Sequence, residues 1–411
     1  MSETMARPTA APAGTPPADG VEQRVEIARA LIEEGTQPFD LLLEPVAAPM
    51  LAADLDIPFP AGRHPVPLPL DPMPAPGDPL PTADVVVVTW TIAELNALAD
   101  VFTPGHPRSE WYRYDRHFAE RYVPLIRPGA PALNARRLGS YFLTKVGSQT
   151  VLCMKSELHL NQDGIATGAG TATLPVRDFF RQVIEEAKPS LVLTVGTSGG
   201  VSLDQSLGDA VVTRGARFRC QSEFANEPFN RRTYTSEWEL PTTWFGVGEE
   251  LMQAYAPQLV EPGFAPPTKR YPHDGPLLVS DPPNVPRIHL DGRDMPPFHP
   301  VLTTDFFEFG TSTNALDREG CAVEMGDAVL GLVCDELDDP PRWAIVRNIS
   351  DPMINGDLAT EPSRLNMQTH WAVWYYEAYG YWTSVTGALA TWAIVTGLDP
   401  GSPDGDGGGP G

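Results

Sequence analysis

Cysteine is scarce in this 411-residue sequence, and its four residues lie far apart with no C-x-x-C pair: Cys153, Cys220, Cys321 and Cys334. This distribution excludes a cysteine zinc site and a disulfide scaffold. Because structural disulfides are rare in reducing compartments, the pattern is typical of a cytoplasmic protein. The eight histidines show no metal-ligand spacing, and we expect no metal site.

Basic residues are also few, since 29 lysines and arginines stand against 53 acidic residues and give a formal net charge of −24. Such a charge is unfavourable for binding nucleic acid or an anionic membrane, and neither is expected as a partner. A local basic pocket is still compatible with it, so a small phosphorylated ligand stays open. The opening residues, MSETMARPTAAPAGTPP, contain no apolar stretch, and we expect no signal peptide.

One uncharged run, residues 378–398, is long enough to cross a bilayer. Its frequent Thr, Ser, Gly and Tyr residues, and the lack of a flanking basic cluster, favour a buried C-terminal helix instead. The tryptophans between Trp371 and Trp392 are then expected to pack this helix or to form a subunit interface.

Proline is unevenly placed, with 17 of the 45 prolines before Asp84. We predict an N-terminal arm over residues 1–83, disordered over residues 1–20 and with the apolar spacing of a helix in Val21–Glu34. Pro58–Pro81 has proline at nearly every second position and should be extended. It is either a stiff spacer, which is the preferred interpretation, or an arm laid over the body or a neighbouring subunit.

The folded body is predicted over residues 84–398, followed by a disordered tail over 399–411. Buried strands alternate with amphipathic helices, which indicates an α/β fold with a largely parallel sheet. Between about 218 and 300 the alternation dissolves into Pro-, Arg- and Trp-containing loops, which we interpret as an insertion. The main predicted elements are strands Val85–Val88, Leu191–Val195, Ala210–Thr213 and Trp343–Ile349, and helices from Thr91, over Pro175–Lys188 and over Ala322–Leu337.

Three segments carry a recognisable pattern. LTVGTSGGV at 193–201 precedes LGDAVV at 207–212, AVEM stands at 322–325, and VRNISD stands at 346–351. In this order they resemble the glycine-rich turn, the ribose-binding Val-Glu-Met segment and the V-R-x-I-S-D strand end of the nucleoside phosphorylase/nucleosidase superfamily. The resemblance implies a single three-layer α/β/α domain with a mixed central sheet, a homo-oligomer and no cofactor. It is greatest to the methylthioadenosine/adenosylhomocysteine nucleosidases.

The resemblance also implies two catalytic residues. Asp351 matches the acid that protonates purine N7, which stabilises the departing base while the ribose acquires oxocarbenium character. Glu94 matches the glutamate that activates water on the opposite face of the ribose, a division of labour like that in sugar hydrolases. No arginine or lysine occurs from Asp84 to Pro107, whereas phosphorylases need cations there to hold phosphate. Water is therefore the expected nucleophile.

The remaining site residues also follow from the resemblance. Glu324 and the backbone of Met325 would hold ribose hydroxyls, Phe307 would stack on the base, and the turn would line the sugar or nucleophile side with Thr197, Ser198 and Gly199. An alternative for each of three residues stays open at this point. Phe307 is then an ordinary core residue. Asp351 then caps the turn before Pro352, and Glu94 is a first-turn acid favoured by the helix dipole.

Two positions depart from the superfamily pattern. Gly326 replaces the second glutamate of Val-Glu-Met-Glu, which grips the ribose 2′- and 3′-hydroxyls. Either Asp327 reaches in, or ribose is held differently, or activity is lost. Asn348 replaces a small residue and is expected to narrow or polarise the base pocket. Arginines near the insertion, among them Arg214 and Arg219, are candidates to meet a 5′-phosphate.

These observations predict a purine N-ribosyl hydrolase that acts on a purine nucleoside or nucleotide. Two alternatives stay open at this stage. One is a phosphorylase that draws its phosphate-binding cations from Arg177, Arg214 or a neighbouring subunit. The other is a nucleoside-binding module that has lost catalysis.

Overall fold

The computed structural model describes residues 55–259, 285–290, 299–358 and 367–399. The predictions of disorder over 1–20, of a helix over Val21–Glu34 and of a tail after residue 399 fall outside these ranges.

The described residues form one mixed sheet, and the buried strands predicted from apolar runs lie at its centre. The strands are β1 (Val66–Pro67), β2 (Val85–Thr89), β3 (Tyr112–Tyr114), β4 (Gly139–Val146), β5 (Gln149–Ser156), β6 (Leu191–Gly199), β7 (Ala210–Thr213), β8 (Gly215–Phe218), β9 (Thr233–Thr235), β10 (Ile288–Leu290), β11 (Val301–Thr303), β12 (Ala322–Glu324) and β13 (Arg342–Asp351). Parallel pairs join β5 to β2, β2 to β6 and β6 to β13, while β4 pairs antiparallel with β5 and β7 pairs antiparallel with β13.

Helices cover both faces of this sheet. Successive residues of a strand point to opposite faces, and in β2 Val85 and Val87 join one apolar core while Val86 and Val88 join another. The helices are α1 (Ile92–Phe102), α2 (Pro131–Ala135), α3 (Leu160–Asp163), α4 (Pro175–Ala187), α5 (Gly246–Gln253), α6 (Ala328–Glu336) and α7 (Met367–Gly397). The first core includes residues of α1 and α7, and the second includes residues of α4 and α6. The predicted α/β fold with three layers is thereby confirmed.

A second branch of the sheet begins where β6 ends. Val323 of β12 pairs antiparallel with Gly199, and β12 continues through β11 and β8 to β9. The predicted helix over Ala322–Leu337 is therefore wrong at its start, because its first three residues form β12 and the helix begins at Ala328. Residues 322–324 are held as a strand by parallel pairing with β11.

The proline-rich segment lies against the body. Val66 and Pro67 pair with β4, and the Trp392 indole donates to the carbonyl of Arg63. The preferred spacer interpretation is therefore wrong, and the alternative of an arm laid over the body holds for residues 55–83. An extended backbone can pair with the edge of a sheet, and Val66 and Pro67 pair in this way with the edge of β4.

Two further regions bear on the predictions. Described parts of 218–300 contain regular elements, since β9 pairs with β8 and β10 pairs with β7, while the boundaries of the insertion stay a prediction. Trp371, Trp382 and Trp392 are buried within the chain, which fits packing of the last helix. None of the helices in the described ranges is sufficiently long and apolar to span a membrane.

Candidate active site

A pocket opens where the parallel strands β5, β2, β6 and β13 end side by side. In open α/β sheets the carboxyl ends of the strands are the usual place for a ligand. Nearly all of the predicted site residues line it. They are Glu94, Thr197, Ser198, Gly199, Phe307, Glu324, Met325 and Asp351.

Asp351 is a buried carboxyl group at the last position of β13. Its Oδ1 accepts a hydrogen bond of 2.7 Å from the Ser350 hydroxyl. Burial raises the pKa of Asp351 to about 7, although the bond from Ser350 works in the opposite direction. Near neutral pH a substantial fraction of this side chain therefore carries a proton that it can donate.

Glu94 is buried in the first turn of α1, and its pKa is shifted in the opposite direction from that of Asp351. Its Oε2 accepts from the Thr89 hydroxyl at 2.8 Å and from the backbone N–H groups of Trp90 and Thr91 at 2.9 Å. Its Oε1 accepts from the backbone N–H and hydroxyl of Thr197 at 2.8 and 2.9 Å. Burial works to raise the pKa of Glu94, but the charge of Arg347 and these backbone bonds outweigh it and lower the pKa.

Both carboxyl groups are anchored along one stretch of β6. Glu94 bonds to Thr197, and Asp351 lies opposite Gly199 in the pairing of β13 with β6. Residues two apart on a strand point to the same face and are separated by about 7 Å. The end of β6 therefore brings two acids that are far apart in sequence into the lining of one pocket.

Glycine is required at two positions near the end of β6, which extends through most of the predicted glycine-rich turn. A Cβ at Gly196 would clash with the Arg347 guanidinium and lie 2.7 Å from Glu94 Oε1. A Cβ at Gly199 would lie 2.9 Å from Val323 Cγ1 and 3.0 Å from Asp351 Oδ2. These two glycines allow the charged side chains to approach the β6 backbone, which gives the glycine-rich motif a steric reason.

Asp327 does not line the pocket. Its fully buried carboxylate forms a bidentate pair with Arg347, with distances of 2.7 Å from Nε and 2.6 Å from Nη2. Asp327 therefore does not reach into the pocket, as one alternative had it. It stands at the N-cap of α6, and its negative charge balances the positive charge of Arg347.

Glu324 lies in the pocket wall, but the protein already holds its carboxyl group. Its oxygens accept from the Thr303 hydroxyl and from the backbone N–H groups of Gly326 and Asp327, and Arg347 Nη2 is 3.3 Å away. Burial and the negative charge of Asp327 raise the pKa of Glu324 despite the nearby guanidinium. The single positive charge of Arg347 is shared with Asp327 and Glu94, and it does not offset the effect of burial on Glu324.

The other predicted residues provide a mixed wall. Phe307 is half-buried, and its ring centroid lies 5.8 Å from that of Phe309. Met325 is half-buried beside the Asn161 amide, and the buried Ser198 hydroxyl donates weakly to a backbone carbonyl at 3.4 Å. Phe307 thus contributes to the pocket wall while it packs against the apolar core, and its contact with the base stays a prediction.

Several pocket residues had no assigned role in the sequence. Arg347 stands within the V-R-N-I-S-D segment and lies over the Trp90 ring at 5.1 Å. The sequence did contain a signal for Arg347, because a charged side chain inside an apolar parallel strand is costly to bury unless it is paired. No sequence signal marked the others, which come from loops, from α3 and from α7: Trp90, His159, Asn161, Gln162, Glu308 and Tyr376.

Arg177, Arg214 and Arg219, which were considered for phosphate binding, do not line the pocket. Arg177 pairs with Glu336, and Arg214 donates to the carbonyl of Ser236. Arg219 pairs with Glu319 and with Glu308, and Glu308 is itself a pocket residue. Among the described residues that line the pocket, Arg347 is the one arginine and there is no lysine.

Asn348 also differs from expectation. It is fully buried, donates to the Thr383 hydroxyl of α7 at 3.0 Å and does not line the pocket. The expectation that it narrows the base pocket is therefore wrong. Adjacent residues of a strand face opposite sides of the sheet, so Asn348 faces α7 while Arg347 faces the pocket.

No protein-family model matches the chain, and the comparison with curated proteins found no match. Among solved structures, the chain is similar to the methylthioadenosine/S-adenosylhomocysteine nucleosidase of Neisseria meningitidis in complex with methylthio-immucillin-A, with 14% identity and a TM-score of 0.38 over 76% of this chain and 99% of the other. It is similar to the futalosine hydrolase of Helicobacter pylori, with 12% identity and a TM-score of 0.40 over 76% and 97%. A third example is the methylthioadenosine/S-adenosylhomocysteine nucleosidase of Campylobacter jejuni, with 13% identity and a TM-score of 0.39 over 77% and 100%.

Identities of 12–14% and TM-scores of 0.38–0.40 are too low to indicate the function of this chain, which has to be inferred from the pocket. The glycine-rich turn, the Val-Glu-Met segment and the V-R-N-I-S-D strand end, which are distant in sequence, meet around that pocket. In these motifs the chain resembles the nucleoside phosphorylase/nucleosidase superfamily.

Proposed function

We propose that the protein is an N-ribosyl hydrolase that cleaves the N-glycosidic bond of a purine nucleoside. The observation that carries the proposal is the pair of acids in one pocket, with the pKa of Asp351 raised to about 7 and that of Glu94 lowered. Two carboxyl groups whose environments separate their pKa values are suited to act as an acid and a base.

Asp351 is the general acid in this proposal. Its Oδ1 is held by Ser350, so Oδ2, which passes beside Gly199, carries the proton. Transfer of this proton to purine N7 lets the base leave as a neutral molecule when the bond from C1′ to N9 breaks. Phe307 contributes an aromatic face against which the base can stack.

Glu94 acts on the water through Thr197. A carboxylate offers about four lone-pair sites, and Glu94 already accepts five hydrogen bonds, two of them from Thr197. The half-buried Thr197 lines the pocket, and its hydroxyl donates to Glu94. Water donates to Thr197 Oγ1, which donates to Glu94 Oε1; as the water oxygen bonds to C1′, its proton passes along this path.

The charge of the pocket supports water as the nucleophile. Arg347 is already matched by Asp327, and Glu94, Glu324 and Asp351 surround the remaining space. A phosphate dianion would meet carboxyl groups here without a free cation. The same charge favours a nucleoside over a nucleotide as the substrate.

The pH dependence follows from Asp351. Since the acid must be protonated in the free enzyme, kcat/KM should be nearly constant from about pH 5 to about pH 7 and fall about tenfold per pH unit above the pKa of about 7. The low pKa of Glu94 places the opposite limb below this range. Initial rates of base release across pH test this. A rate that rises through pH 7 would contradict the assignment of Asp351 as the acid.

The role of the Thr197 hydroxyl in proton transfer can be tested with a matched pair of variants. Thr197→Val removes the hydroxyl with little change in volume and should lower kcat about 10²-fold or more, the scale of a lost proton-transfer group. Thr197→Ser keeps the hydroxyl and should stay within about tenfold of wild type. Steady-state kinetics of both variants provide the measurement. Equal activity of the two would remove Thr197 from the proton path.

The function itself is tested by chromatography of purified protein incubated with adenosine, inosine, guanosine and their 5′-phosphates. We expect release of free base from at least one nucleoside at a rate that added phosphate leaves unchanged. A rate that requires phosphate would establish a phosphorylase. Binding without turnover that Asp351→Asn leaves unaffected would establish the binding-module alternative.

A further inference from the structure

His159 lies at the end of the pocket opposite to Asp351. Four strand ends line the pocket floor in the order β5, β2, β6, β13, with His159 following β5 and Asp351 ending β13. Neighbouring strands are about 4.8 Å apart, so the outer two are separated by about 14 Å. With the base at Asp351 and C1′ at Thr197, the 5′ end of the nucleoside extends over β2 towards β5.

The loop that carries His159 is held firmly in place. The Trp90 indole donates to the carbonyl of Leu158 at 3.1 Å, immediately before His159. On the other side, Arg127 donates to the carbonyls of Asn161 and Gln162, the latter at 2.7 Å. These bonds fix the backbone on both sides of His159, so its ring is presented to the pocket from a rigid support.

Asp163 lies directly behind the imidazole. Its fully buried carboxylate accepts the backbone N–H of His159 at 2.6 Å, and its Oδ2 is 3.7 Å from His159 Nδ1. Neither Asp163 Oδ1 nor His159 Nδ1 has a hydrogen-bond partner in the described part of the chain. The distance from His159 Nδ1 to Asp163 Oδ2 exceeds a hydrogen bond by a few tenths of an ångström, so a rotation of the ring can bring Nδ1 within hydrogen-bond distance of this carboxylate. The His159 side chain is 18% exposed, towards the pocket.

We propose that His159, positioned by Asp163, recognises a hydroxyl group at the 5′ carbon of the substrate. This inference rests on the proposed function. When Nδ1–H donates to Asp163, the ring is fixed in the tautomer that leaves Nε2 as an acceptor. Nε2 then accepts a hydrogen bond from the 5′-hydroxyl. The site thereby selects nucleosides with a free 5′-hydroxyl over those whose 5′ substituent lacks a donor.

The test compares three substrates in five proteins. The substrates are the most rapidly hydrolysed of adenosine, inosine and guanosine, and its 5′-deoxy and 2′-deoxy counterparts. The proteins are wild type, His159→Ala, His159→Gln, Asp163→Asn and His64→Ala, the last a control at an exposed histidine. The quantity measured is the ratio of kcat/KM for the parent nucleoside to that for each deoxy analogue.

Wild type and His64→Ala should prefer the parent over the 5′-deoxy analogue by at least about tenfold, the effect of one hydrogen bond. His159→Ala should abolish this ratio without changing the 2′-deoxy ratio, and His159→Gln should retain part of it because its amide can still bond to the hydroxyl. Asp163→Asn should reduce it, which a purely structural role of Asp163 would not do. Equal losses of activity on all three substrates, or a change confined to the 2′-deoxy ratio, would overturn the proposal.

Failure of the proposed function is distinguishable from failure of this inference. If wild type releases base from none of the nucleosides, the hydrolase proposal is wrong, and calorimetric titration with adenosine and 5′-deoxyadenosine decides the contact. Weaker binding of the 5′-deoxy compound by about tenfold, lost in His159→Ala, supports the contact. Equal binding, or no binding of either compound, refutes it.

Discussion

Replacement of Asp351 by asparagine should lower kcat about 10²–10⁴-fold while nucleoside binding stays nearly unchanged, because only the proton donor is lost. The substitution keeps the shape of the side chain and an acceptor for the Ser350 hydroxyl. Since Asp351 is buried and its pKa is raised to about 7, the amide replaces a group that is largely neutral below that pH. The fold should therefore tolerate it. Steady-state base release gives kcat, and calorimetry gives the dissociation constant.

The matched control is Asp357→Asn, at an exposed aspartate shortly after the end of β13. It should retain wild-type kinetics. Asp351→Asn with activity within about threefold of wild type would remove Asp351 from the chemistry and leave it a turn residue before Pro352. A large fall in binding with little change in kcat would instead indicate a role in holding the base.

Replacement of Arg347 by methionine should lower the free energy of unfolding by about 3–5 kcal/mol, the cost of breaking a buried ion pair by removal of one partner. Asp327 is fully buried and bonded to this guanidinium through both oxygens. Glu324 lies 3.3 Å from it, and Glu94 depends on its charge for a low pKa. Without Arg347 three carboxyl groups share a site with no balancing charge. Urea-induced unfolding measures the change.

Two further variants identify the cause of that loss. Arg342→Met, at the exposed start of the same strand, should change stability by less than about 1 kcal/mol. Adding Asp327→Asn to Arg347→Met should recover part of the loss, because the buried charge left unpaired is then removed as well. If the double variant instead lost as much stability as the two single variants together, the pairing of Arg347 with Asp327 would not be the source of the effect.

The central part of the fold followed from local patterns. The valine run of β2 and the apolar runs that begin β6 and β13 are buried on both faces, and such runs predict parallel strands covered by helices. The second branch of the sheet was not predictable in this way. Its strands β8, β9, β11 and β12 have three or four residues each, too few for a periodic signal.

The site was predictable where a motif had a steric or electrostatic reason. Gly196 and Gly199 are required because charged side chains pass over them, and Asp351 follows from its place at the end of a strand. Asp327 was misjudged because sequence spacing does not reveal which way a turn faces. His159 and Asp163 gave no signal, since their juxtaposition depends on a loop held by Trp90 and Arg127 from other parts of the chain.

The central claim is that water attacks the anomeric carbon in the pocket between Glu94 and Asp351. The most direct measurement is base release from a purine nucleoside in ¹⁸O-labelled water, with phosphate present, followed by mass spectrometry of the sugar. The account predicts free ribose that carries one ¹⁸O atom at C1, formed by wild type and reduced at least about 10²-fold in Asp351→Asn. Unlabelled ribose 1-phosphate as the product, or labelled ribose formed equally by both proteins, would contradict it.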